Sequence, residues 1–488
     1  MSQDNSNKKK ESDLEEELLY ELDFAWNLYS NSQKLESKEL AEKYIEFLTK
    51  ARTERERTAY IKEKALQRGF REVEIGNSDA EGAHKLKPGD RIFYTNRKKN
   101  ISLVIVGSHP LSHGLNIIGA HLDTPRVDLK IRPLYEDKES GFALFKTHYY
   151  GGVKKYQWAS IPLILTGVVV KKNGTVIDVD IGTNDNDPVF IIPDLLPHLQ
   201  QKVQQDRKTT DVIKGEEMNV LVGAIPHENK NIKQKFKVKI LQILHEKYDI
   251  KEEDFLSAEL SLVPAFKPRF VGIDKSMIGA SGQDDGICSF LAMQSILDIK
   301  EIPEKTIIAA LFDKEEIGSS GSTGAKSSWL RFLIEDLLLK KENHVKSSKL
   351  NISLTKTKII SADVGPVLHP TFKQVQDPRT AAILGKGLRI MKYTGRAGKV
   401  NSSDATAEFI AELRHIFDEN EVPFQLGAFS AVDAGGGGTI AMYFAEQFNA
   451  DVVDAGPAVL NIHSPYEISH IADIYASYLG YRTFFKHI

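Results

Sequence analysis

Histidine and carboxylate side chains follow four apolar runs of the sequence. They are His121 and Asp123 after LNIIGA, Asp313, Glu315 and Glu316 after TIIAALF, Asp363 after KIISA, and His463 after VLNI. A helix candidate, ICSFLAMQSILDI, begins just after Asp284-Asp285. Imidazole and carboxylate ligands without a cysteine suit zinc, manganese or cobalt. The set therefore indicates a site for divalent metal ions.

Each of these residues alone has an ordinary structural interpretation. Asp123 opens Asp-Thr-Pro, which is good turn chemistry. Glu315 and Glu316 would suit an acidic helix N-terminus, and Asp284-Asp285 would cap the following helix. A lone histidine such as His463 is more often structural than a metal ligand. Only the recurrence of such residues at several strand-like ends favours the metal site.

The residue types also predict a division of labour for metal-assisted hydrolysis. Two adjacent residues after a strand point in different directions, so one of Glu315 and Glu316 can bind metal while the other faces the attacking water. Asp284-Asp285 offers a carboxylate that can bridge two ions about 3.5–4 Å apart. His121 can bind metal through one ring nitrogen while Asp123 orients the imidazole.

The elements that must position these side chains form an α/β pattern. Residues 36–69 read as helical, and short strands follow from about 91 to 123. From 280 onward strands and helices alternate, which favours a mainly parallel sheet covered by helices. In such sheets ligands bind beyond the carboxyl ends of the strands. The intervening stretch is rich in strand-like runs and has none of the metal motifs. We therefore predict a discontinuous catalytic domain, 1–124 and 275–488, and an inserted β-rich domain, 125–274.

Composition and charge exclude several other classes. The net charge of −3 gives no strong field for nucleic acid or anionic lipid. Cys288 is the only cysteine, so intramolecular disulfides and CxxC zinc sites are excluded. We find no secretory signal and no apolar run long enough to cross a bilayer. The expected protein is cytoplasmic and binds neither membranes nor nucleic acid.

The motifs together resemble those of the aspartyl aminopeptidase/aminopeptidase I family of metallopeptidases. They are GAHLDTP (119–125), FDKEEIGS (312–319), SADVGPVLHP (361–370) and GPAVLNIHSPYEI (456–468), with QDDG (283–286) as weaker support. The resemblance runs from about residue 40 to the C-terminus and implies two zinc ions per subunit, with manganese or cobalt as substitutes. It also implies that the inserted domain mediates dimerisation and that subunits assemble into a tetrahedral dodecamer.

The resemblance further implies a role for each site residue. His121, Asp284 and Asp363 would hold one ion. Asp284, Glu316 and His463 would hold the other, so Asp284 would bridge. Glu315 would be the general base. Asp123 would not bind metal itself and would hold the neighbouring ligands in position.

Several positions depart from the family pattern. Lys314 stands where members often have asparagine, and Pro366 stands where aspartyl-preferring members have histidine. The substrate-binding segment is replaced by TGRAGKVNSSDA (394–405). Lys392 matches the family lysine that reads an acidic side chain, and His198 matches a histidine donated to a neighbouring subunit.

The expected function is a zinc-dependent aminopeptidase acting on peptides, with acidic or else neutral and apolar N-terminal residues preferred. The alternatives are a related di-zinc carboxypeptidase or deacylase, and an inactive shell-forming binding protein.

Overall fold

The structure is a computed structural model that describes residue 14 and residues 17–76, 85–342, 347–395 and 397–488. The first residues of the predicted catalytic domain, 1–13, lie outside the described residues. The strands, in chain order, are β1 (Arg71–Glu72), β2 (Arg91–Asn96), β3 (Asn100–Ile105), β4 (Leu115–His121), β5 (Arg126–Asp137), β6 (Phe142–Tyr150), β7 (Leu163–Val170), β8 (Val176–Ile181), β9 (Val220–Gly223), β10 (Ala258–Pro264), β11 (Arg269–Val271), β12 (Met277–Ala280), β13 (Thr306–Phe312), β14 (Lys358–Ser361), β15 (Gly365–Pro366), β16 (Leu388–Met391), β17 (Phe424–Gly427), β18 (Asp451–Gly456), β19 (Ala458–Leu460) and β20 (Glu467–His470). The α-helices are α1 (Ala25–Leu28), α2 (Asn31–Lys50), α3 (Glu54–Gln67), α4 (Pro197–Gln200), α5 (Lys235–Tyr248), α6 (Gln283–Leu297), α7 (Trp329–Glu342), α8 (Ser347–Thr355), α9 (Ala407–Glu419), α10 (Ala441–Phe448) and α11 (Ile471–His487).

The largest sheet has nine strands in the order β1-β2-β3-β13-β4-β14-β18-β16-β17. Its centre is parallel, because β13, β4, β14 and β18 all run in the same direction. β3 and β16 run antiparallel to their neighbours β13 and β18. The predicted α/β class is confirmed, and the sheet is mixed with a parallel centre.

Helices cover both faces of this sheet. In β13, Ile307, Ala309 and Leu311 belong to one core, which also contains residues of α2, α3, α6, α9 and α11. The alternate residues Ile308 and Ala310 belong to a second core, shared with α7, α8 and α10. A strand that is buried on both sides needs apolar side chains at every position. This requirement explains why TIIAALF reads as an unbroken apolar run.

The predicted helical region over 36–69 is divided into two helices. α2 ends at Lys50, and α3 begins after Thr53. The Thr53 hydroxyl accepts the Glu56 backbone N–H, and the Glu56 carboxylate accepts the Thr53 N–H at 3.1 Å. This reciprocal cap starts a new helix at Thr53. The division places Arg57 of α3 next to the end of β4, where its guanidinium contacts the Leu122 carbonyl oxygen.

A second sheet of six strands is formed by residues 126–264, in the order β8-β7-β10-β5-β6-β9. All of its strand pairings are antiparallel. Its apolar face packs with α5 into a separate core that includes Val127, Leu165 and Leu244. This sheet lies within residues 125–274, whose assignment as an inserted domain stays a prediction. Its role in dimerisation stays a prediction.

A third sheet, not predicted from the sequence, has five short strands in the order β11-β12-β20-β19-β15. β12 leads directly into α6, and β19 and β20 flank the segment that contains His463. This small sheet therefore fixes two segments of the candidate site against each other. Among the described residues, no helix has the length and apolar character needed to cross a bilayer. The predicted cytoplasmic location stays a prediction.

Candidate metal centre

Three neighbouring parallel strands bring site residues to one edge of the central sheet. His121 is the last residue of β4 and lies opposite Phe312, the last residue of β13. Asp363 follows β14, whose last residue Ser361 lies opposite Gly119 of β4. Because parallel strands end at the same edge, side chains that are far apart in sequence meet there.

The first group of potential ligands comprises His121, Asp284 and Asp363, all of which are buried. The Nε2 atom of His121 lies 3.1 Å from Oδ1 of Asp284 and 3.9 Å from Oδ1 of Asp363. Its Nδ1 atom lies 3.0 Å from the Asp123 carbonyl oxygen, to which it can donate. That hydrogen bond leaves Nε2 free to coordinate a metal.

The second group comprises Asp284, Glu316 and His463. The Nε2 atom of His463 lies 3.2 Å from Oδ2 of Asp284 and 3.3 Å from Oε2 of Glu316. Asp284 thus presents one oxygen to each histidine, which is the arrangement that a bridging carboxylate requires. Of these three side chains, that of His463 is 37% exposed, and those of Asp284 and Glu316 are almost completely buried. An overlapping group of His121, Glu315 and Glu316 also has ligand atoms close together.

The donor set fits divalent metal ions. Oε1 of Glu316 is buried and has no hydrogen-bond partner among the described residues, and the contact of Asp284 Oδ1 with Nε2 of His121 joins two atoms that a metal would bind. Buried carboxylate oxygens without a partner are costly unless a cation compensates them. Nitrogen and oxygen donors at these positions are ligands that zinc accepts. The arrangement thus matches what a pair of such ions would need.

The pKa values show how strongly these groups interact. Burial, helped by the charges of Asp123 and Asp284 and opposed by that of His121, raises the pKa of Glu315 to about 7. Burial opposes the protonated form of His463, but Asp284 and Glu316 outweigh it and raise its pKa to about 11. The cluster thus retains protons that divalent cations would displace on binding.

Asp123 connects the two sides of the cluster. Its Oδ1 accepts the backbone N–H of Glu315 at 3.0 Å, and its Oδ2 accepts that of Glu316 at 3.1 Å. The hydroxyl of Tyr150 donates to Oδ2 at 2.9 Å. Burial opposes ionisation, but hydrogen bonds and the charge of His121 hold the pKa of Asp123 below its usual range. An ionised Asp123 therefore fixes the backbone of the two glutamates.

Glu467 is a site residue to which sequence analysis assigned no role. It is fully buried, and its Oε2 accepts the backbone N–H groups of Gln283 at 2.6 Å and Asp284 at 3.1 Å. Its Oε1 accepts the backbone N–H of His463 at 2.8 Å. One carboxylate therefore joins the segments that carry two ligands. Glu467 lies inside the motif GPAVLNIHSPYEI, which was its only signal in the sequence.

Arg57 is a second residue that sequence analysis missed. Its buried guanidinium donates to the carbonyl oxygens of Leu122 at 2.9 Å and Gly282 at 2.6 Å. These carbonyls lie beside the segments of His121 and Asp284. Arg57 thus fixes the end of β4 against the start of α6. No local spacing marks such a residue, because its partners are backbone atoms distant in sequence.

Two predicted substrate residues lie outside the metal groups. The Nζ atom of Lys392 lies 3.3 Å from Oδ1 of Asp404 and donates to the Ala405 carbonyl at 2.9 Å. Lys392 follows β16, which runs antiparallel to β18. Arg389 of β16 donates to the Asp363 carbonyl oxygen, so β16 lies beside this candidate ligand. His198 lies on α4 of the inserted segment and is exposed. The roles predicted for both residues stay predictions.

The departure at Lys314 has a local explanation. This residue adopts a φ of 71°, in the left-handed region. Asparagine enters that region more readily than most residues, which accounts for its use in the family. In this protein the residue at that position is a lysine, and its ammonium lies 2.7 Å from Oδ2 of Asp313.

Comparisons with known proteins agree with the geometry. A family model for aminopeptidase I zinc metalloproteases (M18) matches residues 47–485. A probable M18 family aminopeptidase 1 from Borrelia garinii subsp. bavariensis is 44% identical over 462 residues, covering 94% of this chain and 98% of the relative. The crystal structure of an M18 family aminopeptidase from Thermotoga maritima has a TM-score of 0.90 and 42% identity, covering 96% of this chain and 100% of that one. The structure of the S. cerevisiae mApe1 dodecamer has a TM-score of 0.75 and covers 92% and 96% of the two chains, but at 22% identity this likeness shows the fold alone.

The family model spans all of the candidate ligands, from His121 to His463. The relative and the solved structure from Thermotoga extend the likeness over nearly the whole chain. The predicted enzyme class, a hydrolase, is confirmed, and the chain belongs to the aminopeptidase I (M18) family of zinc metalloproteases.

Proposed function

We propose that the protein removes single residues from the N-termini of peptides with two zinc ions per subunit. The observation that carries this proposal is the sharing of Asp284 between two ligand groups, with one oxygen directed at each histidine. His121 and Asp363 would complete one site. Glu316 and His463 would complete the other.

Bound divalent ions act as Lewis acids that make water more acidic and polarise the scissile carbonyl. In our proposal Glu315 accepts the proton of the attacking water and donates it to the departing amine. Asp123 holds the Glu315 backbone, so the carboxylate keeps its position during the proton transfer. The hydrogen bond from Nδ1 of His121 to the Asp123 carbonyl keeps Nε2 directed at the metal.

The charge around the site favours a free amino terminus over a free carboxyl terminus. When all are ionised, the carboxylates of Asp123, Asp284, Glu315, Glu316 and Asp363 carry five negative charges, one more than two dications neutralise. The excess negative charge attracts an α-ammonium group and repels a carboxylate. Binding a carboxylate would require a dedicated cation, and the buried guanidinium of Arg57 is already bonded to carbonyl oxygens. This supports the aminopeptidase over the carboxypeptidase or deacylase.

The decisive test is the substitution Glu315→Gln. A glutamine cannot accept the proton, so turnover should fall by about 10²–10⁴-fold. Zinc content should stay at two ions, because in our assignment Glu315 is not a ligand. Glu335→Gln on the exposed face of α7 makes the same chemical change away from the site and serves as the control. A near wild-type kcat in Glu315→Gln would refute the role of Glu315 as general base. A loss of zinc in this variant would indicate that Glu315 is a metal ligand.

For the N-terminal residue we propose a preference for neutral or apolar side chains over acidic ones. The Lys392 ammonium is already paired with Asp404. An acidic substrate side chain would therefore have to compete with Asp404 for the Lys392 ammonium, beside a site that carries many carboxylates. Comparing aspartyl, glutamyl and leucyl substrates tests this, and faster hydrolysis of the aspartyl substrate would contradict it.

For assembly we propose that residues 125–274 form a dimer contact within a dodecamer. The segment 125–274 exposes large apolar residues, with Ile131 of β5 71% and Ile225 beyond β9 74% exposed. Covering such side chains with a partner would remove apolar surface from water and so favour association. The S. cerevisiae protein that shares the fold is described as a dodecamer, which is a property of that protein. His198 lies in this segment and would reach a neighbour's site.

The assembly proposal is tested by mass in solution. Ile131→Asp and Ile225→Asp should lower the mass, and His198→Ala should lower activity while the mass stays unchanged. A fully active monomeric wild-type protein would refute the proposal.

A further inference from the structure

A turn at the end of β6 reaches from the second sheet to the candidate metal centre. It comprises Tyr150, Gly151 and Gly152. The Tyr150 hydroxyl donates to Oδ2 of Asp123 at 2.9 Å, on the same oxygen that accepts the Glu316 N–H. A phenol from the second sheet therefore takes part in holding the backbone of the catalytic segment.

The two glycines give this turn close access to a pair of ligands. A Cβ atom on Gly151 would lie 3.1 Å from Oε2 of Glu316, and one on Gly152 would lie 3.0 Å from Nδ1 of His463. The Gly152 carbonyl oxygen lies 3.0 Å from the same Nδ1 and can accept its proton. A histidine that donates through Nδ1 presents Nε2 to the metal. The turn thus selects the ligating nitrogen of His463.

Tyr150 is itself held in place by a buried ion pair. The Arg126 guanidinium stacks 4.0 Å from the centre of the Tyr150 ring. Its Nη1 donates to Oε2 of Glu54 at 3.0 Å, and Glu54 also lies 3.2 Å from the Lys99 ammonium. Glu54 belongs to α3 and Arg126 to β5, so the pair joins a helix that covers the central sheet to the second sheet, beside the turn. A ring fixed in this way holds its hydroxyl in one position.

We infer that the Tyr150–Gly152 turn is a positioning element for the metal centre, so that the second sheet takes part in catalysis as well as in assembly. Tyr150 acts through Asp123 on the Glu315-Glu316 segment. Gly152 acts on His463 through its carbonyl and its lack of a side chain. This inference rests on the proposed function, because it assigns the turn to groups that hold the ions and the base.

The first test compares Tyr150→Phe with Tyr149→Phe. The control removes the same hydroxyl from the adjacent, partly exposed tyrosine, which does not approach Asp123. Partners behind metal ligands typically change affinity or activity by about 10–100-fold. Tyr150→Phe should lower kcat by about that factor with little change in KM, and Tyr149→Phe should leave both unchanged. Equal kinetics for the two variants would overturn the role of Tyr150.

A double variant that changes both Asp123 and Tyr150 shows whether Tyr150 acts through Asp123. In Asp123→Ala the acceptor of the Tyr150 hydroxyl is gone, so adding Tyr150→Phe should cause little further loss. A full additional loss in the double variant would show that Tyr150 acts elsewhere. A wild-type protein that binds zinc but hydrolyses no peptide would contradict the proposed function. Failure of the proposed function can therefore be distinguished from failure of the role assigned to the turn.

Zinc affinity provides a readout that does not depend on turnover. In Gly152→Ala the new methyl group meets His463, so competition with a chelator should show one ion bound about 10–100-fold more weakly. The other ion, held by His121 and Asp363, should be retained. Wild-type affinity for both ions would refute the role of Gly152, even if Tyr150→Phe proved too unstable to assay.

Discussion

The substitution Glu467→Gln tests the connection between the two ligand segments. The Glu467 carboxylate accepts three backbone N–H groups, from Gln283, Asp284 and His463. A glutamine has the same shape but only one acceptor oxygen. In its best orientation the oxygen keeps the Gln283 and Asp284 donors, and the NH₂ group faces the His463 N–H.

The expected loss follows from these contacts. One buried N–H group loses its partner, which costs about 1–3 kcal/mol. Burial and the charge of Asp284 raise the pKa of Glu467 to about 8, so near pH 7 the loss of acceptor charge adds little. We expect a destabilisation of roughly 1–3 kcal/mol in the metal-free protein. Because Asp284 and His463 are both displaced, zinc affinity should fall by about 10–100-fold.

The assay is denaturant unfolding of the chelated protein, followed by zinc titration of the refolded or native sample. Glu446→Gln makes the same change on an exposed position of α10 and should leave both measurements unchanged. If Glu467→Gln showed the unfolding midpoint and zinc affinity of the wild type, Glu467 would not hold the two segments.

Three further outcomes are expected. Asp284→Ala should lose both zinc ions in metal analysis, because it removes the residue common to both groups, and two retained ions would refute the bridge. Zinc affinity should fall about tenfold for each unit of pH lowered from about 8 to about 6, because His463 must release a proton to bind; a flat titration curve would contradict this. Asp404→Ala should free the Lys392 ammonium and raise the aspartyl/leucyl activity ratio, whereas Lys392→Ala should not raise it; an unchanged ratio in Asp404→Ala would exclude Lys392 from substrate recognition.

Much of the candidate site could be predicted because strand ends mark it in the sequence. The apolar runs before His121, Glu315 and Asp363 correspond to β4, β13 and β14, and these strands lie side by side and parallel. Burial on both faces makes such strands easy to find, and their common direction brings their ends together. This topology places His121, Glu316 and Asp363, whereas Asp284 and His463 are placed by segments of the five-stranded sheet.

The residues behind the ligands could not be predicted in the same way. Arg57, Tyr150 and Glu467 act on backbone atoms or on a carboxylate from other segments. Such contacts depend on tertiary placement and have no fixed spacing along the chain. The five-stranded sheet escaped detection for a related reason, since its strands have two to four residues and lack a clear alternation. The helix boundary at Thr53 required recognising a capping box within a long charged stretch.

The order of strands in the central sheet has a consequence for biosynthesis. Within the described part of the chain, β4 pairs only with β13 and β14. Both of these are made after the whole of the second sheet has been translated. At a synthesis rate of about 5–20 residues per second, β4 waits roughly ten to forty seconds for β13. During that time an apolar strand with free edges is a template for aggregation. The nascent chain should therefore depend on chaperones, and fragments that end before residue 306 should be insoluble even though the second sheet within them can fold.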